Sequence, residues 1–147
     1  RSFNPYFSII TVVKNDQNNI QKTIESIKRQ SCLEYEYIVI DGKSIDKTVK
    51  KILKYKKFIN LLISEKDKGI YHAMNKGIKN SKGKVVVFVN SGDLLTKNAL
   101  KIIKKKFDTK KSLDFIFQFH RLVFSTQSPK LAPVHWLFFG MVHHAYH

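Results

Sequence analysis

Buried-strand and amphipathic-helix patterns alternate along this chain. Four runs rich in β-branched and aromatic residues predict strands: YFSIITVV (6–13), YEYIVID (35–41), NLLIS (60–64) and KVVVFVN (84–90). Between and after them, apolar residues recur every three or four positions and predict helices over 18–30, 44–57 and 69–83 and near 97–107. Strands and helices alternating at this spacing predict an α/β fold, with a mostly parallel sheet flanked by helices on both faces.

The predicted helices carry signals for where they start and stop. Ser44 or Asp46 is placed to cap the first turn of the second helix. We expect the third helix to stop at Gly83 and to expose His72. Three residues of the second helix are apolar at helical spacing: Val49, Ile52 and Leu53.

Composition limits the classes of function. With 147 residues, 43% of them hydrophobic, the chain is long enough for a single domain with a buried core. Its one cysteine cannot form an intramolecular disulfide, and no apolar run is long enough to span a bilayer. We therefore expect a cytoplasmic protein, soluble or peripheral at the inner face of the membrane.

The net charge is strongly positive, since 27 Lys and Arg face 11 Asp and Glu to give +16. A positive field of this size favours phosphates, nucleic acid or an acidic membrane face. The same lysines are also what the solvated faces of amphipathic helices contain. Charge alone therefore identifies no partner.

Short polar residues follow three of the four predicted strands, at 14–16, at Asp41 and Gly42, and at 90–93. In open α/β sheets, ligands bind outside the carboxyl ends of the strands, where these residues would lie. Asn and Asp also start helices, so capping explains part of the pattern. It does not readily explain Asp41, which precedes a glycine several residues ahead of its helix.

Two nucleotide-binding motifs are absent or incomplete. The segment DGKSID contains the Gly-Lys-Ser end of a P-loop, but Tyr37 stands where the motif needs its first glycine. No Gly-x-Gly-x-x-Gly follows any predicted strand. Phosphate binding would therefore need a metal or lysines.

Three blocks of the sequence resemble a known family. FSIITVVKND, EYIVIDGKSIDKT and ISEKDKGIYHAMNKGIKNSKGKVVVFVNSGD are similar, in this order, to segments of family 2 glycosyltransferases. The resemblance runs from Phe7 to Asp93 and implies the GT-A fold, Rossmann-like, of an inverting enzyme. It implies transfer of a sugar from a nucleotide-diphosphate donor, with UDP favoured, to a glycan or lipid-linked acceptor in cell-surface polysaccharide synthesis.

The resemblance also implies roles for individual residues. Asp41 matches the acidic residue that accepts a hydrogen bond from the nucleotide base, and Asp93 matches the ligand of a divalent cation, Mn²⁺ or Mg²⁺. The first strand's end would hold the base and ribose, and the block from Asp67 to Asn75 would close over the diphosphate. The implied donor-binding residues are Thr11, Val13, Asn15, Asp41, Asp67, Lys68, Asn75, Ser91, Gly92 and Asp93.

The metal motif departs from the usual pattern of the family. Many relatives have two adjacent carboxylates, whereas here Gly92 precedes Asp93 and Asn90 stands where an acidic residue is common. Fewer carboxylates predict a weaker metal site, which phosphate oxygens and waters would complete. The alternative for Asp93 is a plain helix cap.

The acceptor side is less complete in this sequence. MVHHAYH is similar to an acceptor-side segment of the family, which suggests His143, and the nearby histidines carry no zinc-hydrolase motif. After Asp93 the only carboxylates are Asp108 and Asp114, and neither lies in a segment like the block that holds the general base. We expect one domain over 1–147, with a nucleotide-sugar-binding half (1–93) and the start of an acceptor-side half (94–147). The general base is expected beyond His147, so that the chain is an incomplete enzyme.

Two other functional classes compete with this interpretation. A basic, non-catalytic α/β module would bind nucleic acid or an acidic membrane surface. The aromatic residues that usually interleave with basic ones for nucleic-acid binding are not found, so we expect no nucleic-acid partner. A receiver-like phosphorylation domain with Asp41 as acceptor would need paired acidic residues after the first strand, which the sequence lacks.

Overall fold

The computed structural model describes residues 3–109 and 138–140, and these form a five-stranded sheet with the order β3-β2-β1-β4-β5. The first four strands run parallel, whereas β5 is antiparallel to β4. The strands are β1 (Phe7–Val13), β2 (Tyr35–Asp41), β3 (Leu61–Ser64), β4 (Val85–Phe88) and β5 (Phe138–Gly140). The helices are α1 (Ile20–Lys28), α2 (Thr48–Leu53), α3 (Ile70–Lys79) and α4 (Ala99–Thr109).

The central strands are buried along their whole length because helices cover both of their faces. All seven residues of β1 and all seven of β2 are buried, as is typical of central strands in a parallel sheet, and they include the polar residues Ser8, Thr11, Glu36 and Asp41. Their register pairs Val13 with Asp41, and β3 pairs Ser64 with the same Asp41. The carboxyl ends of the three strands therefore lie level with one another.

Two cores lie on the two faces of the sheet. On one face, isoleucines of α1, Ile52 of α2 and Leu100 of α4 pack against the side chains of Phe7 and Tyr37. On the other face, Ala73 and Met74 of α3 pack against β1 and β2. Each fully buried isoleucine or leucine contributes about 1.5–3 kcal/mol. This burial fixes the helices and therefore the loops at the carboxyl edge.

Two predicted helices are shorter in the structure, since α2 covers 48–53 and not 44–57, and α3 covers 70–79 and not 69–83. Helix α2 is short because Ser44 donates its hydroxyl and its N–H to Asp41, leaving the helix to start at Thr48. Asp46 does support that start, since its Oδ1 accepts the Thr48 N–H at 2.9 Å. Of the apolar positions 49, 52 and 53 only Ile52 is buried, and Leu53 is 50% exposed.

Helix α3 ends at Lys79 and not at Gly83, because Gly83 belongs to the close contact between this segment and β1. Its N–H donates to Ser8 Oγ at 2.8 Å, and a Cβ there would lie 2.5 Å from the Phe7 carbonyl carbon. The antiparallel strand β5 was not predicted. Within residues 3–109 and 138–140, no helix has the length and apolarity needed to cross a membrane.

Candidate functional site

A cleft of about 380 Å³ lies at the carboxyl edge of the parallel strands. Its walls come from the loops after β1, β3 and β4, and they include Val13, Lys14, Asp16, Asp67, Gly69, Asn90 and Ser91. A larger cavity of about 710 Å³ lies between residues 31–34 and α4, but none of the predicted site residues lines it. The smaller cleft is therefore the candidate site, because predicted donor-binding residues line it.

The predicted residues after β1 divide into structural and cleft-lining groups. Thr11 is fully buried, donates to the Val89 carbonyl at 2.7 Å and accepts the Tyr37 hydroxyl at 2.7 Å, so it stabilises the sheet. Val13 lines the cleft. Asn15 has a φ of +49°, and its Oδ1 accepts the Ile45 N–H at 2.8 Å. Asn15 thus ties the β1 loop to the β2 loop.

Asp41 is fully buried and already holds three protein donors. Its carboxylate accepts the N–H of Ser44 at 3.0 Å, the hydroxyl of Ser44 and the hydroxyl of Ser64 at 2.7 Å. A carboxylate has about four acceptor positions, so one remains for a further donor. Asp41 lies at the predicted edge, and its contact with a nucleotide base stays a prediction.

The loop from β3 to α3 brings a second carboxylate to the cleft. Asp67 Oδ1 accepts the Gly69 N–H at 3.0 Å, and Oδ2 lies so close to Gly42 that a Cβ there would be 2.6 Å away. The same Cβ would lie 3.3 Å from Cδ of Lys14. Gly42 therefore makes room for Asp67 and Lys14 to approach each other.

The start of α3 is held by His72, a contact that sequence reasoning missed. The Lys68 N–H donates to His72 Nδ1 at 2.9 Å, which requires an imidazole without a proton on that nitrogen. His72 is partly buried, although the helical pattern predicts an exposed position. Asn75, a predicted donor-binding residue, is exposed on α3 and does not belong to the cleft lining.

The turn after β4 is held from two sides. Ser91 Oγ donates to Asp16 Oδ2 at 2.7 Å, and the Gly92 N–H donates to Thr23 Oγ1 at 2.9 Å. Gly92 has a φ of +98°, a conformation that favours glycine, and the Asp93 N–H closes the turn on the Asn90 carbonyl at 2.9 Å. Asp93 itself is partly buried.

A divalent cation fits this turn only with help from a ligand. Asn90 Oδ1 is buried without a hydrogen-bond partner in the described part of the chain, which makes it an available oxygen next to Ser91 and Asp93. In residues 3–109 and 138–140, no group of three or more His, Cys, Asp or Glu could hold a metal ion alone. Phosphate oxygens and waters would have to complete the coordination shell.

The acceptor-side predictions lie elsewhere. His143 and Asp114 are outside the described residues. Asp108 accepts the Tyr6 hydroxyl at 3.3 Å, at the amino edge of the sheet and opposite the cleft. There, partial burial and the nearby Asp108 raise the pKa of Tyr6 to about 12. Asp108 is therefore not positioned to act in the cleft.

The chain is similar in sequence to one protein family and to curated proteins within it. The profile of the family described as Glycosyl transferase family 2 matches residues 8–137. An uncharacterized glycosyltransferase of Mycobacterium tuberculosis is 37% identical over 90 residues, covering 60% of this chain and 34% of that protein. Poly(ribitol-phosphate) beta-N-acetylglucosaminyltransferase TarS of Staphylococcus aureus is 31% identical over 100 residues, covering 65% of this chain and 18% of that protein. The chain thus spans about a third or less of the length of these two relatives.

Solved structures agree with the sequence comparisons. TarS 1–349 of S. aureus in complex with UDP-GlcNAc matches with a TM-score of 0.66 and 29% identity, covering 72% of this chain and 32% of that chain. A mannosyltransferase from Pyrobaculum calidifontis, solved with GDP-Man and Mn²⁺, has the same fold at a TM-score of 0.60 and 23% identity, covering 68% of this chain and 32% of that chain. The predicted GT-A fold is confirmed. Since the family profile covers most of its length, this chain belongs to glycosyl transferase family 2.

Proposed function

We propose that this chain forms the nucleotide-sugar-binding part of an inverting glycosyltransferase. The donor is a nucleotide-diphosphate sugar, with UDP favoured, and the acceptor is a glycan or a lipid-linked glycan in cell-surface polysaccharide synthesis. One observation carries the proposal: the Asp67–Gly69 loop and the Asn90–Ser91 turn meet on one cleft at the carboxyl edge of the sheet. Family membership and the UDP-GlcNAc bound to TarS support it.

In this proposal each wall of the cleft has its own task. Val13, which lines the cleft, and Asn15, which follows in the β1 loop, would lie beside the base and ribose. Asp67 and the exposed Lys14 line the cleft and, with Lys68 next to Asp67 in sequence, would lie beside the diphosphate. Asp93 and Asn90 would hold Mn²⁺ or Mg²⁺. When bound, the cation supplies positive charge to the leaving diphosphate. Lys14 and Lys68 add fixed positive charge to the same region of the cleft.

Inversion further requires a general base on the opposite face of the sugar, to accept the proton of the acceptor hydroxyl. We assign donor binding to residues 1–93 and the start of the acceptor side to 94–147, with His143 as a candidate acceptor contact. Asp108 is an unsuitable base, because it lies at the amino edge beside Tyr6. We expect the base to lie beyond His147.

Calorimetry with UDP, GDP and ADP, each with and without Mn²⁺, tests donor binding. We expect UDP to bind most tightly and Mn²⁺ to increase its affinity. At a ligand concentration of 100 Kd, binding should stabilise the fold by about 2.7 kcal/mol, which thermal unfolding would detect. If none of the three nucleotides binds under either condition, the proposal is wrong.

A second proposed partner is the acidic inner face of the membrane. Lysines cluster on the outer side of α2 and its flanks, where Lys43, Lys47, Lys50, Lys54 and Lys57 are all exposed. Two apolar side chains stand among them, Ile45 at 92% and Leu53 at 50% exposure. Each lysine near an anionic bilayer contributes about 1 kcal/mol, so the five together contribute about 5 kcal/mol. A lipid-linked acceptor would lie in the same membrane.

Sedimentation with vesicles tests this contact. We expect the protein to sediment with phosphatidylglycerol vesicles at low salt and to be released at high salt, with no sedimentation on neutral phosphatidylcholine. Lys50→Glu combined with Lys54→Glu should weaken the association. Equal binding by the double variant would exclude this surface, and tight salt-dependent binding of RNA in place of vesicles would favour nucleic acid.

A further inference from the structure

Asp16 connects the loop after β1 to the turn after β4. Its Oδ2 accepts the hydroxyl of Ser91 at 2.7 Å across 75 positions of sequence, and its Oδ1 accepts the side-chain amide of Asn19 at 2.7 Å. Its own N–H donates to Thr48 Oγ1 at 2.9 Å. Both Asp16 and Ser91 line the cleft. Asp16 is thus held from three directions at the point where the two loops meet.

The direction of the Asp16–Ser91 hydrogen bond determines what Ser91 offers to a ligand. An ionised carboxylate only accepts, so the single hydroxyl proton of Ser91 is committed to Asp16. The lone pairs of Ser91 Oγ remain, and toward the cleft they can only accept. A phosphate oxygen, which is also an acceptor, would find no donor there. A cation or a ligand hydroxyl would find a partner.

Asn90 adds a second acceptor at the same place. Its Oδ1 is buried and has no hydrogen-bond partner among the residues that the structure describes, and Asn90 lines the cleft beside Ser91. Buried polar atoms are rarely left without partners, so an unpaired oxygen in a cleft indicates a missing donor or cation. Asn90 and Ser91 thus present oxygen acceptors directly before Gly92, which stands where many relatives have a second carboxylate.

We infer that Asp16 is a positioning residue that holds Ser91 Oγ as an acceptor for an electron-poor group of the donor complex, either its divalent cation or a ribose hydroxyl of the nucleotide. The inference rests on the proposed function, because it assigns a contact within the donor cleft. It concerns a residue that the sequence analysis did not include among the donor-binding residues. In this arrangement Asp16 contributes through Ser91 and does not itself contact the ligand.

The competing explanation is that Asp16 only stabilises the start of α1. Its carbonyl accepts the N–H groups of Asn19 and Ile20, and a carboxylate near a helix N-terminus is favourable by itself. If that were its only role, replacing Asp16 would lower stability. It would not lower ligand affinity in a way that depends on the presence of Ser91. A double-mutant cycle separates the two explanations.

The cycle uses Asp16→Ala, Ser91→Ala and the double variant, with UDP affinity measured by calorimetry with and without Mn²⁺. We expect Asp16→Ala to weaken binding on the order of tenfold in the parent and to have little further effect in the Ser91→Ala background. A loss seen only with Mn²⁺ identifies the cation as the partner, and a loss under both conditions identifies a hydroxyl. Thermal unfolding is measured in parallel to separate stability from affinity.

Asp46→Ala is the matched control, because the Asp46 carboxylate likewise accepts two hydrogen bonds, here from the backbone N–H groups of Thr48 and Gln17, but does not contact Ser91. It should leave UDP affinity and its Mn²⁺ dependence unchanged. If Asp16→Ala does not fold, Asp16→Asn takes its place in the cycle, with an expected loss of about threefold because a neutral acceptor holds the proton less firmly.

Two results would overturn the inference while the proposed function survives: unchanged UDP affinity in the Asp16 variant, or an equal loss in the parent and Ser91→Ala backgrounds. If the parent protein binds no nucleotide at all, the proposed function fails and this inference fails with it. The outcomes are therefore distinguishable from the same set of measurements.

Discussion

The two edges of the sheet are built differently. Each loop leaving the carboxyl end of a parallel strand contains a residue with positive φ: Asn15 at 49°, Lys43 at 59°, Gly69 at 116° and Gly92 at 98°. At the amino edge the described residues have none, and that edge is held by the Lys104–Glu34 ion pair at 2.8 Å and by the Tyr6–Asp108 hydrogen bond.

The difference shows where the fold accepts backbone strain. Asn15 and Lys43 carry side chains in a conformation that costs of order 1–3 kcal/mol, and such residues cluster at ligand sites. Asn15 is held by Ser44 and Ile45. The positive φ values thus lie at the edge where we propose that the donor binds, while the amino edge has none among the described residues, and substitutions at the two edges should have different consequences.

The largest effect on stability is expected for Gly83→Ala at the amino edge. Its Cβ would lie 2.5 Å from the backbone of Phe7 and Ser8, which cannot move without disturbing β1, so the free energy of unfolding should fall by about 3–4 kcal/mol.

At the carboxyl edge, the Cβ of Gly42→Ala would lie 2.6 Å from the Asp67 side chain, which can rotate away. The free energy of unfolding should therefore fall by only about 1 kcal/mol, and the main effect should be weaker UDP binding. Urea unfolding measures the stability of each variant, and calorimetry measures its UDP affinity. A similar loss of stability in Gly83→Ala and Gly42→Ala would contradict the proposed difference between the two edges.

Asp41→Ala should affect both stability and binding, because Asp41 is buried at the carboxyl end of β2, the edge where we propose that the donor binds. Three donors would lose their acceptor, which should lower the free energy of unfolding by about 2–3 kcal/mol. If Asp41 also accepts a base N–H, UDP binding should weaken by about 1.5–3 kcal/mol in folded protein. UDP affinity equal to that of the parent would restrict Asp41 to its structural role.

Asp93→Asn should change binding but hardly stability. Asn has nearly the same shape as Asp and can still accept a hydrogen bond in the turn, whereas it is a poorer ligand for Mn²⁺, so the gain in UDP affinity with Mn²⁺ should fall about tenfold. Calorimetry with and without Mn²⁺ measures the gain, and urea unfolding checks the fold. The helix-cap alternative for Asp93 is wrong, because α4 starts only at Ala99 and Asp93 lies in the turn after β4. Full retention of the Mn²⁺ effect would therefore restrict Asp93 to a structural role in that turn.

The smallest effect concerns acid stability at the carboxyl edge. Hydrogen bonds from Thr48 and from the Gln17 N–H hold the pKa of Asp46 below its usual value. A lowered folded-state pKa means that the contribution of Asp46 to stability is present above its unfolded pKa, about 4, and is lost as pH falls through the folded value. We expect Asp46→Asn to be less stable than the parent at pH 7, with the gap narrowing toward pH 3. A stability difference between parent and variant that stays constant from pH 7 to pH 3 would show that the lowered pKa of Asp46 does not contribute to stability.

Sequence patterns predicted most of the fold and part of the site. The four parallel strands and four helices follow from periodicity, and the ends of β1, β2 and β4 meet at one edge as expected. Val13, Asp67 and Ser91 do line a common cleft. Thr11 and Asn75 do not line it, because one packs inside the sheet and the other faces solvent from α3.

The sequence by itself determined the alternation of elements, the buried strands and the edge where a ligand would bind, because these depend on local hydrophobic periodicity and on the geometry of parallel sheets. Only the tertiary structure decided the antiparallel pairing of β5, the three donors on Asp41 and the bond between Asp16 and Ser91. The β5 pairing, the Ser64–Asp41 bond and the Asp16–Ser91 bond join residues that are far apart in the chain. Hydrophobic periodicity does not predict which carboxylate accepts the hydrogen bond of each hydroxyl, because that depends on how the packed core aligns the loops.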